Sequence, residues 1–209
     1  MEVHFKPLNT GGVLQVKLDG NLVIDYSGDT TNNAEYVTEF VLRGTDQGKE
    51  TYYDDIVLND ASGSYNNSWP GQVHLLPIQA AGEGDTTQFT RAGVDLGENF
   101  AQVRPLTPIQ SYVQSDTADE IDLYTVDVPD LPSGATIKNV IASALGRIVT
   151  GSGSMALLCK QGGNTTTGSD KALSAGWTMD QEVFAVNPAD DAAWEEADLS
   201  GLQLGIKSR

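Results

Sequence analysis

Hydrophobic positions in this chain recur every second residue more often than every third or fourth. Leu14, Val16 and Leu18 alternate with Gln15 and Lys17, and after Asp19-Gly20-Asn21 the pattern resumes at Leu22, Ile24 and Tyr26. A period of two puts alternate side chains on one face of a strand. Two such runs around Asp-Gly predict a β-hairpin. A two-residue loop would pair Leu18 with Asn21 and set Leu22 on the face opposite Leu18. A three-residue loop would pair Leu18 with Leu22, join the two apolar faces and put Asn21 in the left-handed region, which Asn tolerates. The three-residue loop is the preferred register. It predicts that Leu14, Val16, Leu18, Leu22 and Ile24 face a core while Gln15 and Lys17 face water.

Further runs rich in β-branched and aromatic residues predict strands over 36–42, 52–58, 73–78, 121–128, 137–149, 154–160, 182–186 and 202–207. Pro77 suits an edge or exit position, and Gly146 a bulge. Residues 61–71 read as a long loop that packs through Trp69, and 161–170 as a Gly/Thr loop. Only 188–198, acidic and Ala-rich, predicts a helical turn. The stretch 79–98 is mostly polar and predicts an extended linker or arm. The expected fold is therefore all-β, with an antiparallel β-sandwich or jelly-roll-like unit over 1–78, a linker over 79–111 and a second β-rich unit over 112–209.

Composition supports many short strands and turns, since 22 of the 209 residues are glycine. The net charge of −17, with acids in excess in both halves and no basic cluster, argues against direct contact with nucleic acid or an anionic membrane. Met1-Glu2-Val3-His4-Phe5 does not begin an apolar leader, and no run approaches the roughly 18 apolar residues of a transmembrane helix.

Candidate chemistry is sparse. The single cysteine, Cys159, reads as a small buried hydrophobe. Two isolated histidines, His4 and His74, are too few for a zinc site or a base–nucleophile pair. Gly151-x-Gly153-x-x-Ala156 matches a dinucleotide fingerprint on paper, but Gln161-Gly162-Gly163 arrives too soon for the helix that motif needs. Asp54, Asp55 and Asp60, and Asp119, Glu120 and Asp122, are clusters of hard oxygen ligands. Neither forms an Asp-x-Asp-x-Asp-Gly loop, so a structural calcium is the less favoured reading and no cofactor is expected.

Two passages carry a resemblance. Residues 14–60 hold the hairpin, the Gly28-Asp29-Thr30 loop and Tyr52-Tyr53-Asp54-Asp55-Ile56-Val57-Leu58-Asn59-Asp60, followed by Asn66-Asn67-Ser68-Trp69-Pro70-Gly71. This resembles the end of a concanavalin A-like (laminin G-like) jelly roll of tailed-bacteriophage virion proteins. Val186-Asn187-Pro188, Ala193-Trp194 and Leu202-Gln203-Leu204-Gly205-Ile206-Lys207 are similar to the C-terminal unit that follows the jelly roll there. Roughly the first half of such a jelly roll has no counterpart here, so this is a shortened form or its missing strands come from a neighbouring subunit.

The resemblance implies a non-enzymatic structural protein of the virion, assembled in the host cytoplasm: capsid decoration, a head fibre or a tail appendage. Its partners would be further copies of itself, as a homo-oligomer, and capsid or tail subunits. Its surfaces would do the work, with Trp69 and Trp194 as packing anchors and Glu83, Asp85 and Arg91 of the expected arm as contacts. The alternative is a carbohydrate-binding module for host attachment. A glycan would then stack on exposed aromatics, for which Trp69, Tyr65 and Trp177 are the candidates.

Overall fold

Thirteen antiparallel strands account for nearly all the regular structure among the residues described by the computed structural model, which are 1–31, 36–42, 52–62, 64–94, 97–104 and 110–209. The chain is all-β, as its alternation predicts, and divides into the units Met1–Leu75 and Leu76–Arg209. No helix among the described residues is long and apolar enough to cross a membrane.

In the first unit, β1 (Glu2–Lys6), β2 (Gly12–Leu18) and β3 (Asn21–Gly28) form a meander in that order. The hairpin is present, but its loop has two residues. Asp19 and Gly20 take φ +48° and +79°, Leu18 pairs with Asn21, and Lys17 pairs with Leu22. Two consecutive left-handed residues make the turn whose twist matches that of the strands, and Asp-Gly is suited to it. Left alone, this register would put the two apolar sets on opposite faces. A shift between Val16 and Lys17 corrects it: Val23 is the extra residue, so Ile24 pairs with Val16 and Tyr26 with Leu14. Leu18, Leu22 and Ile24, expected inward, are exposed, while Gln15 and Lys17, expected in water, are half-buried.

The strands expected over 36–42 and 52–58 do not form: these residues carry no strand pairing. Strand-like composition needs a pairing edge to become a strand, and Asp55 turns into the left-handed region at φ +52°. Of 73–78, too, nothing pairs as a strand.

The second unit holds β4 (Gln79–Thr87), β5 (Thr90–Gly93), a single helical turn α1 (Asn99–Val103), β6 (Ser111–Gln114), β7 (Ile121–Asp127), β8 (Val140–Gly146), β9 (Ser154–Gln161), β10 (Asn164–Thr167), β11 (Lys171–Ala172), β12 (Thr178–Phe184) and β13 (Gln203–Ser208). Its main sheet runs β10-β9-β13-β7-β4, with β11 also on β9; β8 pairs with β12, and β5 with β6. The expected linker is thus largely structured. Residues 79–87 form an edge strand on β7, and 90–93 pair with 111–114; residues 95, 96 and 105–109 lie outside the described residues. Polar and glycine residues hide an edge strand from a hydrophobic pattern, because its pairing comes from the backbone. Gly84 is needed there: a Cβ would sit 2.7 Å from the Leu123 carbonyl.

The core lies between two layers. Val140 and Ala142 of β8 and Phe184 of β12 pack against Leu157 and Cys159 of β9, with Trp194 and Leu202 closing the cluster. β9 is buried continuously from Met155 to Cys159, as a central strand covered on both faces should be. The acidic segment 188–198 supplies a 3₁₀ turn at Glu196–Leu199, where the Asp198 carboxylate accepts from the Glu195 N–H at 2.7 Å.

Truncating Leu157 to Ala should destabilise the protein by about 2–5 kcal/mol, whereas Val149→Ala, at an exposed site, should change it by no more than about 0.5 kcal/mol. Urea denaturation followed by tryptophan fluorescence measures both.

Candidate functional site

In an antiparallel sheet directly paired residues share a face. On one face of the main sheet the row Leu157–Ile206–Asp122 crosses β9, β13 and β7, and beside it runs Cys159–Leu204–Tyr124–Glu83. Both rows are apolar at β9 and β13 and turn polar at β7 and β4. The change of character falls at Asp122, which is fully buried.

A carboxylate in that position is tolerable only if its lone pairs are met. Oδ1 accepts the N–H of Gln88 at 2.6 Å and of Phe89 at 2.8 Å; Oδ2 accepts Asn99 Nδ2 at 2.7 Å and the Tyr124 hydroxyl at 2.9 Å. These four bonds tie the β4–β5 connection and the first residue of α1 to β7. Burial, followed by the Asp122 charge, drives the Tyr124 phenol well above its ordinary range, so it remains a donor.

Next to this cluster opens a cavity of about 730 Å³ lined by Glu83, Thr87, Phe89, Arg91, Glu98 and Asn99, among others. Two of its charged groups already have partners. Glu83 accepts the Phe100 N–H and the Thr87 hydroxyl, both at 3.2 Å, and Arg91 donates to the Gly97 carbonyl. Asp122 and Tyr124 escaped the sequence reading as a pair. Their i, i+2 spacing in a strand was a signal that they share a face; their contact with Asn99 had none.

The expected contact residues are scattered. Trp194 is buried in the core, and its indole N–H donates to the Phe184 carbonyl at 2.8 Å. Trp69 lies on the polar face of the β1–β3 sheet, with the Lys17 ammonium 4.2 Å from its ring centroid and the His4 ring edge-on at 5.8 Å. Glu83 and Arg91 line the cavity. Asp85 pairs with Lys160 on the other face of the sheet, and its N–H donates to Gln203 Oε1 at 2.9 Å.

For glycan stacking, Trp177 has Arg147 4.9 Å from its ring centroid and Tyr112 edge-on at 6.2 Å. A cation thus lies over one face of the Trp69 ring and one face of the Trp177 ring. Tyr65 is exposed.

Chemistry elsewhere is structural. His4 bonds Gln15 at 3.3 Å, and His74 bonds Asp55 at 2.9 Å. Burial pushes the Cys159 thiol up to about 12, the opposite of a nucleophile. Strand β9, not a helix, follows Gly151 and Gly153, so the phosphate-binding geometry of the fingerprint is absent. Among the described residues no three His, Cys, Asp or Glu side chains are grouped to hold a metal ion. Asp119 instead meets Lys207 at 3.0 Å and Arg209 at 2.8 Å, and Arg209 also reaches Asp170 at 3.0 Å. The Lys207 ammonium, then Arg209, hold the Asp119 carboxyl below its ordinary range. No protein family, curated protein or solved structure matches the chain.

Two outcomes follow. Asp122→Ala removes the acceptor of four donors, of which the Gln88 N–H alone keeps another, the Ile121 carbonyl at 3.1 Å, and should cost about 3 kcal/mol or more, read by urea denaturation. Glu182 provides a pH signature. Burial would raise its carboxyl, but the Lys171 ammonium at 2.8 Å and the Ser169 hydroxyl and N–H outweigh that and hold it below its ordinary value of 4.5. A depressed folded-state pKa stabilises above the unfolded value and loses that contribution as pH falls through the folded one. Glu182→Gln should therefore be less stable than wild type at pH 7, with the difference shrinking as pH falls through the depressed folded-state pKa, as thermal melts across an acid series would show.

Proposed function

We propose that this chain is a non-enzymatic structural component of a tailed-phage virion that works through subunit contacts, as capsid decoration, a head fibre or a tail appendage. The observation that carries this reading is the unequal distribution of burial. Among the described residues, the buried hydrophobic side chains, from Leu123 to Leu202, all belong to the unit 76–209 and none to 1–75, where Val3, Phe5, Ile24, Tyr26, Phe40, Val41 and Leu58 are exposed. Apolar surface on this scale marks an interaction site. A folded unit carrying a segment built for contact suits an assembly protein.

The order of motifs along the chain, jelly-roll end first and the Trp194-containing unit second, supports the virion assignment. The partner groups at the candidate cavity favour architecture over catalysis, since Glu83 and Arg91 are engaged in holding loops. Copies of the chain and capsid or tail subunits are the partners, and the virion is the place of action.

Immunogold electron microscopy of purified particles with antibody against residues 76–209 tests this reading. Labelling at repeated positions on heads, fibres or tails is the expected result. Particles that lack the chain by both labelling and peptide mass spectrometry would exclude it.

A further inference from the structure

The cavity beside Asp122 offers a ligand acceptors rather than donors. Asn99 is only 5% exposed, and its Nδ2 donates to the Phe89 carbonyl at 2.9 Å and to Asp122 Oδ2 at 2.7 Å. Two acceptors on one side fix the orientation of the amide, so the opposite atom is the carbonyl oxygen Oδ1. Among the described residues no donor meets Oδ1. It is not sealed from solvent either, since the one buried side-chain polar atom left without a partner among them is Asp180 Oδ2. The opening that Asn99 lines is the cavity, so Oδ1 presents its lone pairs there. The neighbouring Glu98 carboxylate is exposed and has no partner among the described residues, not even as a cap for α1. The hydroxyls of the lining have spent their protons: Thr87 donates to Glu83 at 3.2 Å, and Thr90 to the Gln114 carbonyl at 3.1 Å.

We propose that this cavity binds a small aliphatic amine, its ammonium held by Glu98 and Asn99 Oδ1 and its methylene chain laid against Phe89. The site goes beyond the structural role, which neither requires nor excludes a bound amine. A primary ammonium brings three donors and no acceptor. It asks for three acceptors, which Glu98, Asn99 Oδ1 and the remaining lone pairs of Glu83 supply. An anion would find little here, because Arg91 is the one cationic side chain of the lining and donates to the Gly97 carbonyl. Two carboxylates against one guanidinium leave the lining net negative, and the chain's charge of −17 draws cations toward it. A bare metal ion fits less well. No three acidic, histidine or cysteine side chains are grouped to hold one among the described residues, and Phe89 and Ala92 give the cavity an apolar wall that no metal uses. That wall suits methylene groups, and the ring face of Phe89 also attracts a cation. The volume of about 730 Å³ lies within the roughly 300–1,000 Å³ of small-molecule sites.

Titration of the full chain with putrescine, followed by ¹H–¹⁵N NMR, tests this. Saturable shifts of the Asn99 side-chain amide and of the Phe89 and Glu98 N–H signals are expected, with butane-1,4-diol, which has the same carbon chain and no charge, leaving them unmoved. Glu98→Gln alters an exposed side chain that holds nothing in the fold, so it should keep the wild-type urea midpoint and weaken binding about tenfold, the effect of losing one hydrogen bond to a charged group. Asp130→Asn, at an exposed site elsewhere in the unit, should bind as wild type does. Absence of saturable shifts overturns the proposal. So do shifts spread over the acidic surface that Glu98→Gln and Asp130→Asn weaken equally, because general attraction of counterions then accounts for them. Magnesium chloride that reproduces the putrescine shifts at Asn99 and Phe89, or a diol that binds as tightly as the diamine, overturns it as well.

Discussion

A sheet can bury an apolar face only when another surface covers it, and the two units of this chain meet that condition differently. In 76–209 the cover is internal: β8 and β12 lie over β9 and β13, so Leu157, Cys159, Phe184 and Trp194 share one core. In 1–75 the internal cover goes to the wrong side for a core, because Trp69 lies over Lys17 and His4. Hydrophobic burial is the dominant favourable term in folding, so the first unit's own contacts supply little of it. Hydrogen bonding and turn geometry hold its meander together instead, including the Thr30 hydroxyl, which donates to the Lys6 carbonyl at 2.7 Å.

The second unit has a polar constraint of its own. Asp122 occupies a position in β7 that an apolar residue would fill in a simpler sandwich, and it organises the surroundings through direction rather than bulk. Two backbone amides, one side-chain amide and one phenol converge on it. Such a cluster specifies one arrangement of the β4–β5 connection and α1, because any other leaves a buried charge short of donors. The neighbouring cavity is shaped by this arrangement, and Glu83, Asn99 and Arg91 of its lining are engaged in maintaining it.

The strand periodicity was legible in the sequence where apolar side chains alternate or run continuously: 13–18, 22–26, 121–127, 154–160 and 202–207 all became strands close to their expected bounds. So was the Asp-Gly turn. The hairpin from β9 into β10 was missed: 161–170 was expected as a Gly/Thr loop, because Asn164 and three threonines disguised the strand, whose register comes from its pairing with β9. Expectations failed where a strand is made by its partner. β4 is polar and glycine-rich but has β7 to pair with; 36–42 and 52–58 look like strands and have no edge within the described residues.

What the sequence alone determined, then, was the fold class and the hairpin, because these depend on local period and turn chemistry. Tertiary structure decided the rest. It decided the hairpin register, where a two-residue turn and the extra residue Val23 together reconcile strand twist with the apolar pattern. It decided that Asp122 is a buried hub and Asp119 part of an ion cluster, although the two lie three residues apart with similar neighbours. It also decided which face of the first sheet is covered. Each of these depends on groups distant in sequence, such as Asn99 with Asp122 or Trp69 with Lys17, and no local pattern encodes a meeting between segments that only the folded chain brings together.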